Sequence, residues 1–181
     1  MKHFFRDTGI VIRKRQLQKD NRLITILSEK NGKINLVGYG IRSLLSKRLS
    51  HVETGNYISF SYYKKNEYYS LGETDLIWAF SKIKKSEPKL NLLFLLFFIL
   101  DKIMPENQTD EAVFEKTRSI MTKLNNREQF TFLDLSVHLK ELLIMTGFID
   151  DVRSQSHNFN VLEFIENLID RKIKWAYLDA V

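Results

Sequence analysis

Two hydrophobic rhythms divide the chain. Up to about residue 80, apolar and polar positions alternate in short runs; beyond it, apolar positions recur every three or four residues. In the first part, Thr8–Arg13 is rich in β-branched residues, and Arg22–Ser28 follows the polar stretch 14–21. Asn31-Gly32 is a short-hairpin signal leading into Lys33–Tyr39. A polar, partly helical stretch over Arg42–His51 precedes two further strands. These are Asn56–Tyr63, with Ile58, Phe60 and Tyr62 alternating, and Tyr68–Thr74, joined by the turn Lys64-Lys65-Asn66-Glu67.

The second part reads as about four helices with short connections. Glu87-Pro88 opens a helix that runs through Leu90–Ile103 and stops at Pro105. It is apolar on nearly every face, so it is expected at the centre of the helical cluster. Thr109 is expected to cap a helix of about 15 residues, with Asp110 and Glu111 in its first turn and Val113, Phe114, Ile120, Met121 and Leu124 inward. Thr131 with Asp134 resembles a capping box for a helix ending near Gly147, with Leu135, Leu139, Leu142, Leu143 and Met145 inward. Asn160 with Glu163 starts the last helix, whose stripe is Leu162, Ile165, Leu168, Ile169 and Ile173. The stretch 150–158 is a polar connector.

Composition narrows the class. A 44% hydrophobic fraction with 13 Phe and 2 Pro describes a folded chain. Without cysteine there is no disulfide, thiolate zinc site or cysteine nucleophile, and the four His stand far apart. The first seven residues turn charged before any signal-peptide apolar region forms. The longest apolar run, Leu92 to Leu100, is about half the ~20 residues needed to span a bilayer. The expectation is a soluble, intracellular protein with no membrane segment.

Charge then separates the halves. Residues 1–85 carry 17 Lys/Arg against 7 Asp/Glu, a balance of +10; residues 86–181 carry 11 against 15, a balance of −4. Such asymmetry points to a polyanion-binding module joined to a second, different one. The order strand, strand, strand, short helix, strand, strand is that of an OB-fold, a five-stranded Greek-key barrel. The expected fold is therefore α+β: an N-terminal OB-fold five-stranded β-barrel over 1–80, followed by an all-α helical domain over 81–181.

OB-folds bind nucleic acid with the strand 2–3 face and with the loops joining strands 1–2 and 4–5. The first of those loops is read as carrying Arg13, Lys14, Arg15, Lys19 and Arg22. The second carries Lys64 and Lys65, flanked by Tyr63 and Tyr68. Lys33 lies on the third strand, and Arg42, Lys47 and Arg48 follow it. Any one of these alone reads as a solvated surface charge or a packed tyrosine. Their convergence on the two loops marks the cluster as a phosphate-binding surface.

The search for catalytic groups gives no Gly-rich phosphate loop, serine elbow, His-Glu-x-x-His or paired-Asp motif. His138, in a helical pattern between Val137 and Leu139, reads as structural, and Asp150-Asp151 as a solvated loop. No metal, cofactor or enzymatic activity is expected.

Arg13, then residues 20–28 (Asp-Asn-Arg-Leu-Ile-Thr-Ile-Leu-Ser), then Gly32-Lys33 look like the opening signature of the RecO family of recombination mediators. Tyr39-Gly40-Ile41-Arg42 is similar to its Gly-small-basic segment. Residues 99–106 (Ile-Leu-Asp-Lys-Ile-Met-Pro-Glu) with Ala112-Val113-Phe114-Glu115 resemble its Leu-Leu-Pro-Glu…Leu-Phe junction. Leu143 to Ile149, with Thr146-Gly147-Phe148, resembles its Leu-Gly-Tyr helix end; Glu166, Lys172-Ile173-Lys174 and Leu178 are similar to its last helix. The order holds along nearly the whole chain. One departure stands out: many members carry a four-cysteine zinc module where the connector 150–158 lies, so the expectation is a compact, zinc-less member.

The resemblance implies a non-enzymatic bacterial protein of DNA repair, cytoplasmic and nucleoid-associated. It would bind single- and double-stranded DNA and anneal complementary strands. With RecR it would help load recombinase onto DNA coated by single-strand DNA-binding protein, whose acidic C-terminal tail would dock on the helical domain. Lys172, Lys174 and Trp175 are candidates for that docking. Three readings compete: a protein-interaction adaptor without direct DNA binding, an RNA-binding barrel, and an unrecognised nuclease.

Overall fold

The computed structural model describes residues 4–41, 46, 48–150, 159–170 and 172–173. Contacts divide the chain into two compact units, Met1–Ala79 with Met104–Phe114, and Phe80–Ile103 with Glu115–Val181.

In the first unit, strands β1 (Phe4–Gln16), β2 (Arg22–Ser28), β3 (Gly32–Gly38), β4 (Tyr57–Lys65) and β5 (Tyr68–Trp78) close a barrel in the order β1-β2-β3-β5-β4. All neighbours are antiparallel except β3 and β5, which meet in parallel at Leu36–Tyr69 and Val37–Ser70. This is the OB-like barrel the element order implies. Short helix α1 (Arg48–His51) stands between β3 and β4. Val11, Ile24, Ile26, Ile34, Leu36, Ile58, Phe60, Tyr62 and Leu71 fill the interior, joined by Val52 from just after α1. A register shift between Val11 and Arg13 takes β1 from core-lining Val11 to exposed Arg13.

The strands run longer than the sequence pattern suggests. β1 passes through Arg13-Lys14-Arg15 to Gln16, because these residues pair with Thr25, Ile24, Leu23 and Arg22. β4 likewise includes Lys64 and Lys65, paired with Tyr69 and Tyr68, leaving Asn66-Glu67 as the turn. Polar strand ends lack the alternation that marks a half-buried strand, so only the ladder defines them.

One outer row of the barrel, Tyr57–Ile10–Leu27–Lys33 in cross-strand register, is apolar at its middle. Ile10 and Leu27 are nonetheless buried, at 0% and 1% exposure. Segment 104–114 touches both ends of this row. Asn107 N–H donates to the Lys33 carbonyl (2.9 Å), and the Phe114 ring lies 6.1 Å from that of Tyr57. Thr109 Oγ1 donates to the Lys30 carbonyl at 2.7 Å. Thr109 therefore is not the helix cap expected of it; Asp110 Oδ1 accepts from Val113 N–H at 3.0 Å and caps α4 instead. The β2–β3 turn is fixed from its other side by buried Asp7, whose carboxylate accepts from Ser28 Oγ, from Asn31 Nδ2 (2.7 Å) and from Thr8 N–H (2.7 Å).

The second unit holds α2 (Ser81–Lys84), α3 (Glu87–Ile103), α5 (Phe132–Met145) and α6 (Val161–Leu168), with α4 (Glu111–Asn126) from Glu115 onward. Eight buried apolar residues make α3 its core helix. Helices α4 and α5 are joined through Glu141, which binds both Lys116 Nζ and His138 Nδ1, while Phe130 stacks on the His138 ring. Burial raises the Glu141 carboxyl, but the hydrogen bonds from Lys116 and His138 outweigh it and hold it below its ordinary value. Two stripe positions differ from expectation. Met145 and Leu168 are 39% and 38% exposed, because each ends its helix beyond the packed turns. The connector 151–158 lies outside the described residues.

Candidate nucleic-acid interface

On the outer face of β1, β2 and β3, pairing sets two rows side by side: Arg13–Thr25–Asn35 and Arg15–Leu23–Val37. Arg13 and Arg15 are exposed, so their guanidinium groups stand on a strand face rather than in a loop. Lys14, one step between them, belongs to the inward row with Ile24 and Leu36. It reaches Glu53 Oε2 at 2.6 Å with its side chain 16% exposed. Its charge is paired with that half-exposed carboxylate, which makes it a weaker candidate than its neighbours.

The β1–β2 connection is the hairpin turn Leu17–Asn21, closed by Leu17 N–H to the Asn21 carbonyl at 3.1 Å. Lys19 sits exposed near its tip in the left-handed region (φ 58°), and Arg22 opens β2. Asn21 Oδ1 also accepts from Gly40 N–H (3.1 Å), tying this turn to the segment after β3. That segment carries Tyr39. The Tyr39 hydroxyl lies 2.6 Å from that of Tyr68, and Lys65 Nζ sits 4.6 Å from the Tyr39 ring centroid. The β1–β2 and β4–β5 hairpins are thus brought together around Tyr39, a residue absent from the expected set. Its place at the end of the expected third strand, in the segment Tyr39-Gly40-Ile41-Arg42, was the signal the sequence offered. The hydrogen bond with Tyr68 raises the Tyr39 phenol above its ordinary value, so it is neutral at physiological pH.

Other expected residues have different roles. Lys33 is 7% exposed, beside the Asn107 that bonds its carbonyl, and offers no open surface. Arg48 is a structural clamp: its guanidinium donates to the carbonyls of Tyr39 (2.9 Å) and Gly72 (3.2 Å). Tyr63 is half-buried with its ring 5.1 Å from that of Phe4. Lys64 and Lys65 are exposed. Arg42 and Lys47 lie outside the described residues. In the second unit, Lys172 pairs with Glu166 Oε2 at 2.8 Å, while Lys174 and Trp175 lie outside the described residues.

A second surface of the barrel has different chemistry. Phe4, Arg6, Ser61, Gly72, Glu73 and Asp75, from β1, β4 and β5, line an open groove of about 770 Å³. Arg48 also lines it, so two arginines and two carboxylates balance there, whereas the exposed cations of the β1–β2 face and the two hairpins make that surface the basic one. Among the described residues there is no cluster of three His, Asp or Glu that could hold a metal, and no helix long and apolar enough to cross a membrane.

Comparisons with known proteins agree with this barrel. Residues 1–80 match the family model for the N-terminal part of recombination protein O. Curated proteins named DNA repair protein RecO are similar along much of the chain. The one from Alkaliphilus metalliredigens is 25% identical over 64% of this chain and 48% of its own length. That of Clostridium acetobutylicum is 25% identical over 80% and 58%, and that of Acetivibrio thermocellus 23% identical over 84% and 61%. The chain thus spans about half to three-fifths of the length of these relatives. Residues 1–80 are thus similar to the N-terminal part of recombination protein O, and 64–84% of the chain is similar to curated RecO proteins, which supports a RecO-family reading.

Proposed function

We propose that this chain is a DNA-binding protein of repair and recombination. Its barrel holds single- and double-stranded DNA by sequence-independent phosphate contacts and promotes annealing of complementary strands. The observation that carries this reading is the basic surface formed by exposed Arg13 and Arg15 on β1, exposed Lys19 and half-buried Arg22 at the first hairpin, and exposed Lys64 and Lys65 at the last. A basic platform lowers the repulsion between two approaching strands by releasing their counterions. In the same reading the chain works with RecR to load recombinase onto DNA coated by single-strand DNA-binding protein, and the helical unit receives that protein's acidic tail. The two barrel surfaces suit such a division, one facing DNA and the mixed-charge groove left for protein. The barrel and the helices use no catalytic group for any of these steps.

The test is a titration of a fluorescent single-stranded oligonucleotide at several salt concentrations, with the wild type and with Arg13, Arg15, Lys19, Lys64 and Lys65 changed together to Ala. Each lost contact to a single strand flattens the log–log salt slope by about 0.7, so the five-residue variant should lose about 3.5 units of slope and most of its affinity. A wild type that fails to bind at low salt would move the protein-interaction adaptor to first place.

A further inference from the structure

We propose that Tyr39, with Tyr68 and Lys65 behind it, is the single-strand-selective element of the basic surface: an unpaired base stacks on its ring. The inference rests on the DNA-binding reading above and assigns to one side chain a discrimination that phosphate contacts cannot make.

Tyr39 is held as a platform before any ligand arrives. Its hydroxyl is hydrogen-bonded to Tyr68 at 2.6 Å, and its carbonyl accepts from Arg48 at 2.9 Å. Lys65 Nζ sits 4.6 Å from the ring centroid on one face. The residue is still 36% exposed with that ammonium in place. A residue whose side chain has two contacts and whose carbonyl has a third needs little further ordering when a base meets its ring. The ammonium is close enough to bind a phosphate next to that base, so one residue pair serves both parts of a nucleotide. The phenol is neutral at physiological pH and adds no charge that would repel the backbone.

The surrounding charges act on single strands and duplexes alike, because both present phosphates. A duplex keeps its bases stacked on one another and offers no free ring face along its length. Only an unpaired strand therefore gains from Tyr39. The result is a surface that holds either form but prefers DNA before pairing and releases that preference as complementary strands close.

The experiment compares a single-stranded oligothymidylate, an abasic strand of the same length, and a blunt duplex, each titrated with wild type, Tyr39→Phe and Tyr39→Ala at one salt concentration. One stacked base corresponds to roughly a 5- to 150-fold change in affinity. Tyr39→Ala should weaken oligothymidylate binding by such a factor while duplex affinity stays within about twofold and the salt slope is unchanged. Tyr39→Phe keeps the ring and should retain most of the preference. The abasic strand gives the same readout without a variant: the wild type should bind it about as weakly as Tyr39→Ala binds oligothymidylate. Equal losses on strand and duplex, or equal wild-type affinity for abasic and normal strands, would overturn the assignment while leaving the phosphate surface intact. A wild type that binds none of the three overturns both readings together.

Discussion

At the scale of single residues, Gly32 is the position with least freedom. Its φ of +65° is one that an L side chain adopts at a cost of about 1–2 kcal/mol. A Cβ there would also lie 1.8 Å from the Gln108 carbonyl oxygen, well inside contact distance. Gly32→Ala should therefore destabilise the protein by more than the backbone cost alone, since segment 104–114 must shift off the hairpin. Urea denaturation reads this directly, and a loss under about 1 kcal/mol would show that the segment yields freely. The sequence announces the turn at Asn31-Gly32 but not the close approach, because the residue that makes it lies far away in the chain. The same limit explains the sorting of the basic residues. Lys14, Lys33 and Arg48 look like Arg13 and Arg15 in sequence, yet they meet Glu53, segment 104–114 and backbone carbonyls respectively. How exposed each cation is depends on tertiary packing that periodicity does not name.

At the scale of elements, local chemistry was more legible. The start of α5 follows from Thr131 and Asp134 alone. Thr131 N–H donates to Asp134 Oδ2 at 2.8 Å, and Asp134 N–H donates back to Thr131 Oγ1 at 3.4 Å. Asn160 Oδ1 caps α6 by accepting from Leu162 and Glu163 N–H. Both were readable because every partner lies within three residues. The misplaced cap at Thr109 failed for the opposite reason: its hydroxyl is drawn away to Lys30, 79 positions distant. The capping box also carries a pH signature. Hydrogen bonds from the Thr131 backbone and hydroxyl hold the Asp134 carboxyl below its ordinary value. A depressed acid stabilises the fold above its unfolded value, and that contribution fades as pH falls through the lowered folded one. Thr131→Ala should cost about 0.5–2 kcal/mol at neutral pH. In thermal melts followed by circular dichroism, Asp134→Asn should flatten part of the wild type's stability loss below about pH 4. Parallel pH profiles for wild type and Asp134→Asn would mean that the carboxylate adds nothing to the cap.

At the scale of the whole molecule, the change in hydrophobic rhythm near residue 80 marks where strands give way to helices, but not where the barrel's own packing ends. Residues 104–114 return to the barrel across the row Tyr57–Ile10–Leu27–Lys33, touching it at both ends. Ile10 and Leu27 lie between those two ends; they face outward from the barrel interior and are nonetheless buried. A chain cut at residue 80 would lose the segment, and full exposure of such side chains costs about 1.5–3 kcal/mol each. Against a typical total of about 5–15 kcal/mol, that loss is a large share of what keeps a small barrel folded. The piece matched by the family model should therefore be a recognisable sequence unit and a poor folding unit. Expressed alone, residues 1–80 should unfold at markedly lower urea concentration than the whole chain and bind an apolar dye. Equal midpoints for the barrel transition in both would show that the segment adds little and that the barrel folds independently. If the midpoints differ as expected, DNA binding has to be measured on the whole chain, because a weakened barrel would lose affinity without losing any of its phosphate contacts.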